Sequence, residues 1–83
     1  MKEFIEYIVK NIVKNPDDVV VQHSVDQNNT HNFVITVNNN DMGILIGKSG
    51  KTIKSIREMA VSKAIIDKIK INISINEQQE KND

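Results

Sequence analysis

Two glycines three residues apart, Gly47 and Gly50, interrupt the chain between a short apolar run, Ile44-Leu45-Ile46, and a longer amphipathic stretch that begins at Lys51. No other feature restricts the fold as tightly. Glycine at both ends of a tetrapeptide lets the backbone turn sharply and approach a ligand with no Cβ in the way. Amides in and after such a turn, at the start of a helix, point outward and favour an anion. Lys48, Lys51, Lys54 and Arg57 place four cations within ten residues. From Asp41 to Arg57 the balance is four positive against one negative, so the remainder of a chain with zero net charge carries −3. The cationic character is local.

A nucleotide-binding P-loop, G-x-x-x-x-G-K-[ST], would have to use Gly43, Gly47, Lys48 and Ser49. Only Ile44, Leu45 and Ile46 separate the glycines, and Met42 stands where the first glycine belongs. The run before it, Asn38-Asn39-Asn40-Asp41, reads as a loop and helix cap, whereas a P-loop follows a buried strand. The spacing therefore points away from nucleotide triphosphates.

Taken in order, Phe4, Ile5, Ile8, Val9, Ile12 and Val13 recur at helical spacing opposite Lys2, Glu3, Glu6, Lys10 and Lys14. This predicts an amphipathic helix that packs on a sheet and is stopped by Asn15-Pro16. Its polar face mixes acids and lysines, unlike that of a membrane-surface helix. Val19 to Asp26 reads as a strand with Val21, His23 and Val25 on one face, and Gln27-Asn28-Asn29-Thr30 as the turn. His31 to Asn38 returns antiparallel, with Phe33, Ile35 and Val37 toward the helices. Asn38 to Asn40 connects to Asp41, the expected N-cap of a single turn from Met42 to Ile46. A second long helix runs from Lys51 to Ile66 or Asp67, with Ile56, Met59, Ala60 and Ala64 on its core side. Ile69, Ile71, Ile73 and Ile75 then alternate with Lys70, Asn72, Ser74 and Asn76, the clearest strand in the chain. The order is α-β-β-α-α-β, an α+β chain that must bury one sheet face under its helices. Residues 1–76 form one domain and the polar segment 77–83 a frayed tail.

Composition sets the outer limits. Eighty-three residues support one modest core. Cysteine is absent, so neither a disulfide framework nor a thiolate metal site is available. His23 and His31 have no cysteine or acidic partner at ligand spacing, so no metal is assigned. No apolar run approaches the ~18 residues of a membrane span. The start of the sequence lacks a basic region followed by an unbroken apolar stretch, and a cytoplasmic protein is expected. Asp17 and Asp18 flank a turn, and no acid, base and nucleophile converge: no catalytic residue, cofactor or small-molecule substrate is expected.

The stretch Ile46-Gly47-Lys48-Ser49-Gly50-Lys51-Thr52-Ile53 matches the I-G-x-x-G-x-x-I core of KH domains. Around it, Asn15-Pro16-Asp17, Asp41-Met42-Gly43 and Ile53-Lys54-Ser55-Ile56-Arg57 resemble the small bacterial single-KH proteins of the KhpA family. The resemblance spans Phe4 to about Ile75 and departs at Ile44, where that family commonly carries a lysine. It implies a type II KH fold, with three helices on one face of a three-stranded mixed sheet. In KH modules the glycine loop clamps about four nucleotides of single-stranded RNA. Carried onto this chain, Gly47 and Gly50 allow close approach, Lys48 and Lys51 meet phosphates, and Ser49 donates a hydroxyl hydrogen bond. Gly43, Ile46 and Ile53 line an apolar groove for bases, Lys54 and Arg57 extend the cationic rim, and the strand His31 to Asn38 is expected as the opposite wall. Phosphate contacts position and base contacts specify, so such a loop gives affinity with little selectivity.

Two functional classes follow. The first is a non-catalytic RNA-binding module, a post-transcriptional regulator or RNA chaperone by resemblance. The second is a scaffold in which the fold serves dimerisation, since the resemblance implies a homodimer or a heterodimer with a larger KhpB-like protein. Pairing two small sites raises affinity through effective concentration, so the two are compatible.

Overall fold

The computed structural model describes residues 1–76, and the tail expected at 77–83 lies outside the described residues. Alternating apolar and polar residues produce three strands: β1 (Val20–Val25), β2 (Thr30–Thr36) and β3 (Lys70–Ile75). β1 pairs antiparallel with β2, and β2 pairs parallel with β3, giving the sheet order β1-β2-β3. The helices are α1 (Lys2–Lys10), α2 (Met42–Ile46) and α3 (Lys51–Asp67), with 3-10 turns at Pro16–Asp18, Asn39–Asp41 and Lys48–Gly50. The architecture is the α-β-β-α-α-β arrangement of a type II KH fold.

The period of two in the strands sets the core. Val21, Phe33, Ile35 and Ile73 are buried on the helix side, whereas Gln22, Ser24, Asn72 and Ser74 stand exposed on the other. Ile5 and Val9 of α1, Leu45 of α2, and Ile53, Ile56 and Ala60 of α3 close over the first set. Complete burial of a side chain such as Phe33 or Ile35 contributes about 1.5–3 kcal/mol relative to leaving it exposed.

Two local readings change. The first helix ends at Lys10, well before Asn15-Pro16. Asn11 Nδ2 donates to Tyr7 O at 2.7 Å, and Asn11 N is shared between Tyr7 O and Ile8 O, so the last turn tightens. Val13 still reaches the core from the following segment. On α3, Met59 is 44% exposed and does not belong to the core face, which is made by Ile53, Ile56, Ala60 and Ala64. Helical spacing allowed either Met59 or Ala60 beside Ile56. The small alanine is the one that fits against α1 and the sheet.

Candidate nucleic-acid interface

β2 ends at Thr36 and the chain climbs through the Asn39–Asp41 turn into α2. Asn38 caps that turn, its side chain accepting from Asn40 N at 2.8 Å. Asp41 was expected to cap α2 but makes no cap hydrogen bond. Its carboxylate is fully buried and turns toward the Asn15 loop, where Oδ2 accepts from Asn15 N at 2.9 Å and Asn15 Nδ2 at 3.1 Å. Asn38 Nδ2 donates to Asp18 Oδ2 at 2.9 Å. Two segments far apart in sequence are thereby tied together at the base of α2. No sequence pattern signals this pairing.

α2 stops at Gly47, which adopts φ 77° and ψ 173°, a region open essentially to glycine alone. A Cβ at Gly47 would also collide with the Thr52 side chain and lie 2.8 Å from Thr52 N. Gly50 sits in the left-handed region at φ 74°, ψ 15°, and its N–H donates to Gly47 O at 3.1 Å. Ser49 has φ 57° and ψ 27°. Three positive φ values in four residues reverse the chain within the loop. Lys48 and Ser49 are consequently thrust into solvent at the junction of α2 and α3.

Lys51, Lys54 and Arg57 follow on the exposed side of α3. Among the described residues the single ion pair is Lys63 with Asp67, at 3.2 Å, so none of Lys48, Lys51, Lys54 and Arg57 is neutralised by a carboxylate. Gly43 is exposed, and nothing lies within 4 Å of where its Cβ would be. Ile46 is half-buried beside it. Ile53 is only 6% exposed and belongs to the core, holding the loop from below while offering little surface to a ligand.

The opposite wall differs from the expectation. β2 is the central strand and is paired along both edges, so its backbone groups are engaged. β3 is the strand with a free edge beside α3. Asn76 N donates to Ile35 O, so even-numbered residues of β3 face β2 and odd-numbered residues turn their N–H and C=O groups outward. Arg57 Nε meets one of these, Ile73 O, at 3.3 Å. Arg57, Val61, Ile71, Asn72 and Ile73 line a depression of about 160 Å³ between α3 and that edge. The depression beside Arg57, on the exposed side of α3 that also carries Lys51 and Lys54, thus has β3, with open hydrogen-bonding positions, as its second side.

The sequence model of the KhpA/KhpB KH domain matches residues 2–76. The chain belongs to the KhpA/KhpB KH-domain family. It is 44% identical over 79 residues to the RNA-binding protein KhpA of Chlamydia trachomatis, covering 95% of this chain and all of the relative. The KhpA protein of Thermotoga maritima is 46% identical over 57 residues, 69% of this chain and 75% of that one. These KhpA relatives are named for RNA binding, and theirs is not an enzyme family. In fold, the chain is similar to part of Era in complex with MgGDPNP and nucleotides of 16S ribosomal RNA. The TM-score is 0.62 at 19% identity, over 89% of this chain and 28% of that one. The matched range includes α2, the glycine loop and α3. Among the described residues no helix is long and apolar enough to cross a membrane.

Proposed function

We propose that this chain is a non-catalytic, single-stranded RNA-binding protein, one KH domain over residues 1–76 with a polar tail at 77–83. The glycine loop clamps the RNA backbone: Gly47 and Gly50 let it approach, Lys48 and Lys51 meet phosphates, and Ser49 donates a hydrogen bond. Gly43 and Ile46 form the apolar floor on which bases rest, braced by Ile53, and Lys54 and Arg57 extend the cationic rim toward β3. The observation that carries this reading is the solvent-facing loop and adjoining start of α3, with four cations that no carboxylate among the described residues neutralises. Family membership and the names of the relatives support it. A cytoplasmic post-transcriptional regulator or RNA chaperone is the role that fits such a module. Amide chemical-shift mapping with a short unstructured RNA tests it: shifts are expected at residues 43–57 and on β3. A shift pattern that leaves the glycine loop untouched overturns it.

A second, compatible reading is pairing with another copy or with a KhpB-like protein. It draws support from the outer side of α3, where Ile65 and Ile66 are 72% and 78% exposed beside Met59. Large apolar side chains gathered on one exposed helix are the kind of patch that marks a protein contact.

A further inference from the structure

At the far end of α3 from the glycine loop, the β1–β2 hairpin holds an unusual pair. His23 Nε2 and His31 Nδ1 lie 2.8 Å apart, with ring centroids 5.0 Å apart and planes within 17°. That centroid separation is nearly the N···N distance plus two ring radii. The imidazoles therefore meet edge to edge, almost in one plane. Phe33, directly opposite His23 in the ladder, stacks parallel to the His23 ring at 4.5 Å and 10°. Phe33 is fully buried, so this backing is part of the core. His23 is nonetheless exposed. With one face against Phe33 and one edge bonded to His31, the surface it shows to solvent is its other face.

Both rings line a depression of about 440 Å³ whose rim includes Lys2, Glu3 and Asp67. His31 also borders an adjoining depression of about 450 Å³ that carries Lys68, Lys70, Asn28 and Asn29. Lys68 closes α3 in the left-handed conformation, and Lys70 opens β3, so regular structure holds both in place.

We infer that the coplanar His23–His31 pair is a stacking platform for a nucleobase, with Lys68 and Lys70 receiving the phosphates of the same RNA strand. This rests on the RNA-binding reading and extends its footprint. The rings offer faces, not lone pairs. Two collinear nitrogens 2.8 Å apart leave no space for an ion that needs about 2.1 Å to each. Among the described residues no group of three His, Asp or Glu is placed to hold a metal. Histidine is among the side chains on which unstacked RNA bases rest. The charges orient the nucleotide: the rim with Glu3 and Asp67 also carries Lys2, and Asp67 is engaged by Lys63, so it is mixed and can accept from base amino groups, whereas the adjoining depression carries Lys68 and Lys70 with no carboxylate. The phosphates lie on the Lys68 and Lys70 side. α3 has 17 residues, which at ~1.5 Å each separates the two sites by about 25 Å. A strand longer than the four or so nucleotides held at the loop is needed to reach both.

The test compares uniform single-stranded RNAs of about four and about ten nucleotides. The His23→Ala/His31→Ala variant is expected to keep wild-type affinity for the short strand and lose about tenfold for the long one. His23→Phe, which retains a ring on Phe33, keeps the affinity for the long strand. In the wild type, the imidazole C–H proton resonances move upfield with the long strand and stay with the short one. If those resonances do not move, or if the folded double variant binds the long strand like wild type, the platform is overturned while the loop reading stands. If the wild type binds neither strand, the RNA-binding reading itself has failed and takes the platform with it.

Discussion

Asp41 Oδ2 accepts two hydrogen bonds from Asn15, one from the backbone N–H at 2.9 Å and one from Nδ2 at 3.1 Å, across 26 positions of sequence. The other oxygen, Oδ1, is buried with no partner among the described residues, so this contact is what compensates a fully enclosed carboxylate. Asp41→Ala leaves the Asn15 donors unmatched and is expected to cost about 1–3 kcal/mol. Asp41→Asn, which keeps an acceptor, costs less. Denaturant unfolding checks the order, and equal stability of Asp41→Ala and wild type would contradict it.

The three glycines separate into three costs. Gly47→Ala meets both a φ of +77° and the Thr52 side chain, so it is the most damaging, beyond the ~1–3 kcal/mol of backbone strain alone. Gly50→Ala has open space around its Cβ and pays only for its left-handed backbone, about 1–2 kcal/mol. Gly43 lies inside α2 with nothing near its Cβ, so Gly43→Ala stabilises the fold by about 0.4–1 kcal/mol. That variant still weakens RNA binding if the glycine is the floor of the groove. Melting curves and titrations on the same three proteins read the two effects separately.

Asp26 organises the β1–β2 turn. Its carboxyl is held below the ordinary value of 3.8 by the Thr30 N–H, then by Asn32 Nδ2 and the Asn28 N–H. A carboxylate whose folded pKa is depressed contributes stability that is fully present above the unfolded pKa and lost as pH falls through the folded one. The hairpin is therefore expected to loosen in acid, below about pH 4. Asp26→Asn should flatten that part of the stability profile, and an unchanged profile would contradict the assignment.

On the outer side of α3, Ile65→Glu and Ile66→Glu touch no core contact and should alter monomer stability by no more than about 0.5 kcal/mol. If that face pairs with another copy, sedimentation shows the wild type associating with concentration and the variants remaining monomeric. A wild type that is monomeric throughout removes self-pairing through this face.

Much of the fold was legible because periodicity is local. The strict alternation of Ile71, Ile73 and Ile75 and the bracketing of Lys48 and Ser49 by glycines each carry their meaning within a few residues. What sequence did not show depends on distant partners. The Asp41 carboxylate looked like a cap because an acid before a helix usually is one, yet the Asn15 loop competes for it successfully. Met59 and Ala60 flank Ile56 on opposite sides of the helix, three and four residues on, and only the closeness of α1 and the sheet selects the smaller. β3 and not β2 offers a free edge beside α3 because strand order is a tertiary property: a strand paired on both sides has none. The sequence places His23 and His31 on neighbouring strands, but their alignment in one plane depends on the cross-strand register.

The central claim is that the glycine loop clamps RNA phosphates, and its most direct test is binding of a fluorescent single-stranded RNA pool across a salt series, beside Lys48→Asp/Ser49→Asp. Aspartate tolerates the left-handed backbone at position 49 better than most residues, so the variant is expected to fold. Wild-type affinity is expected to fall as salt rises, through release of counterions from the neutralised phosphates, and binding to be lost in the folded variant. Equal binding by the two proteins, or affinity indifferent to salt, would contradict it.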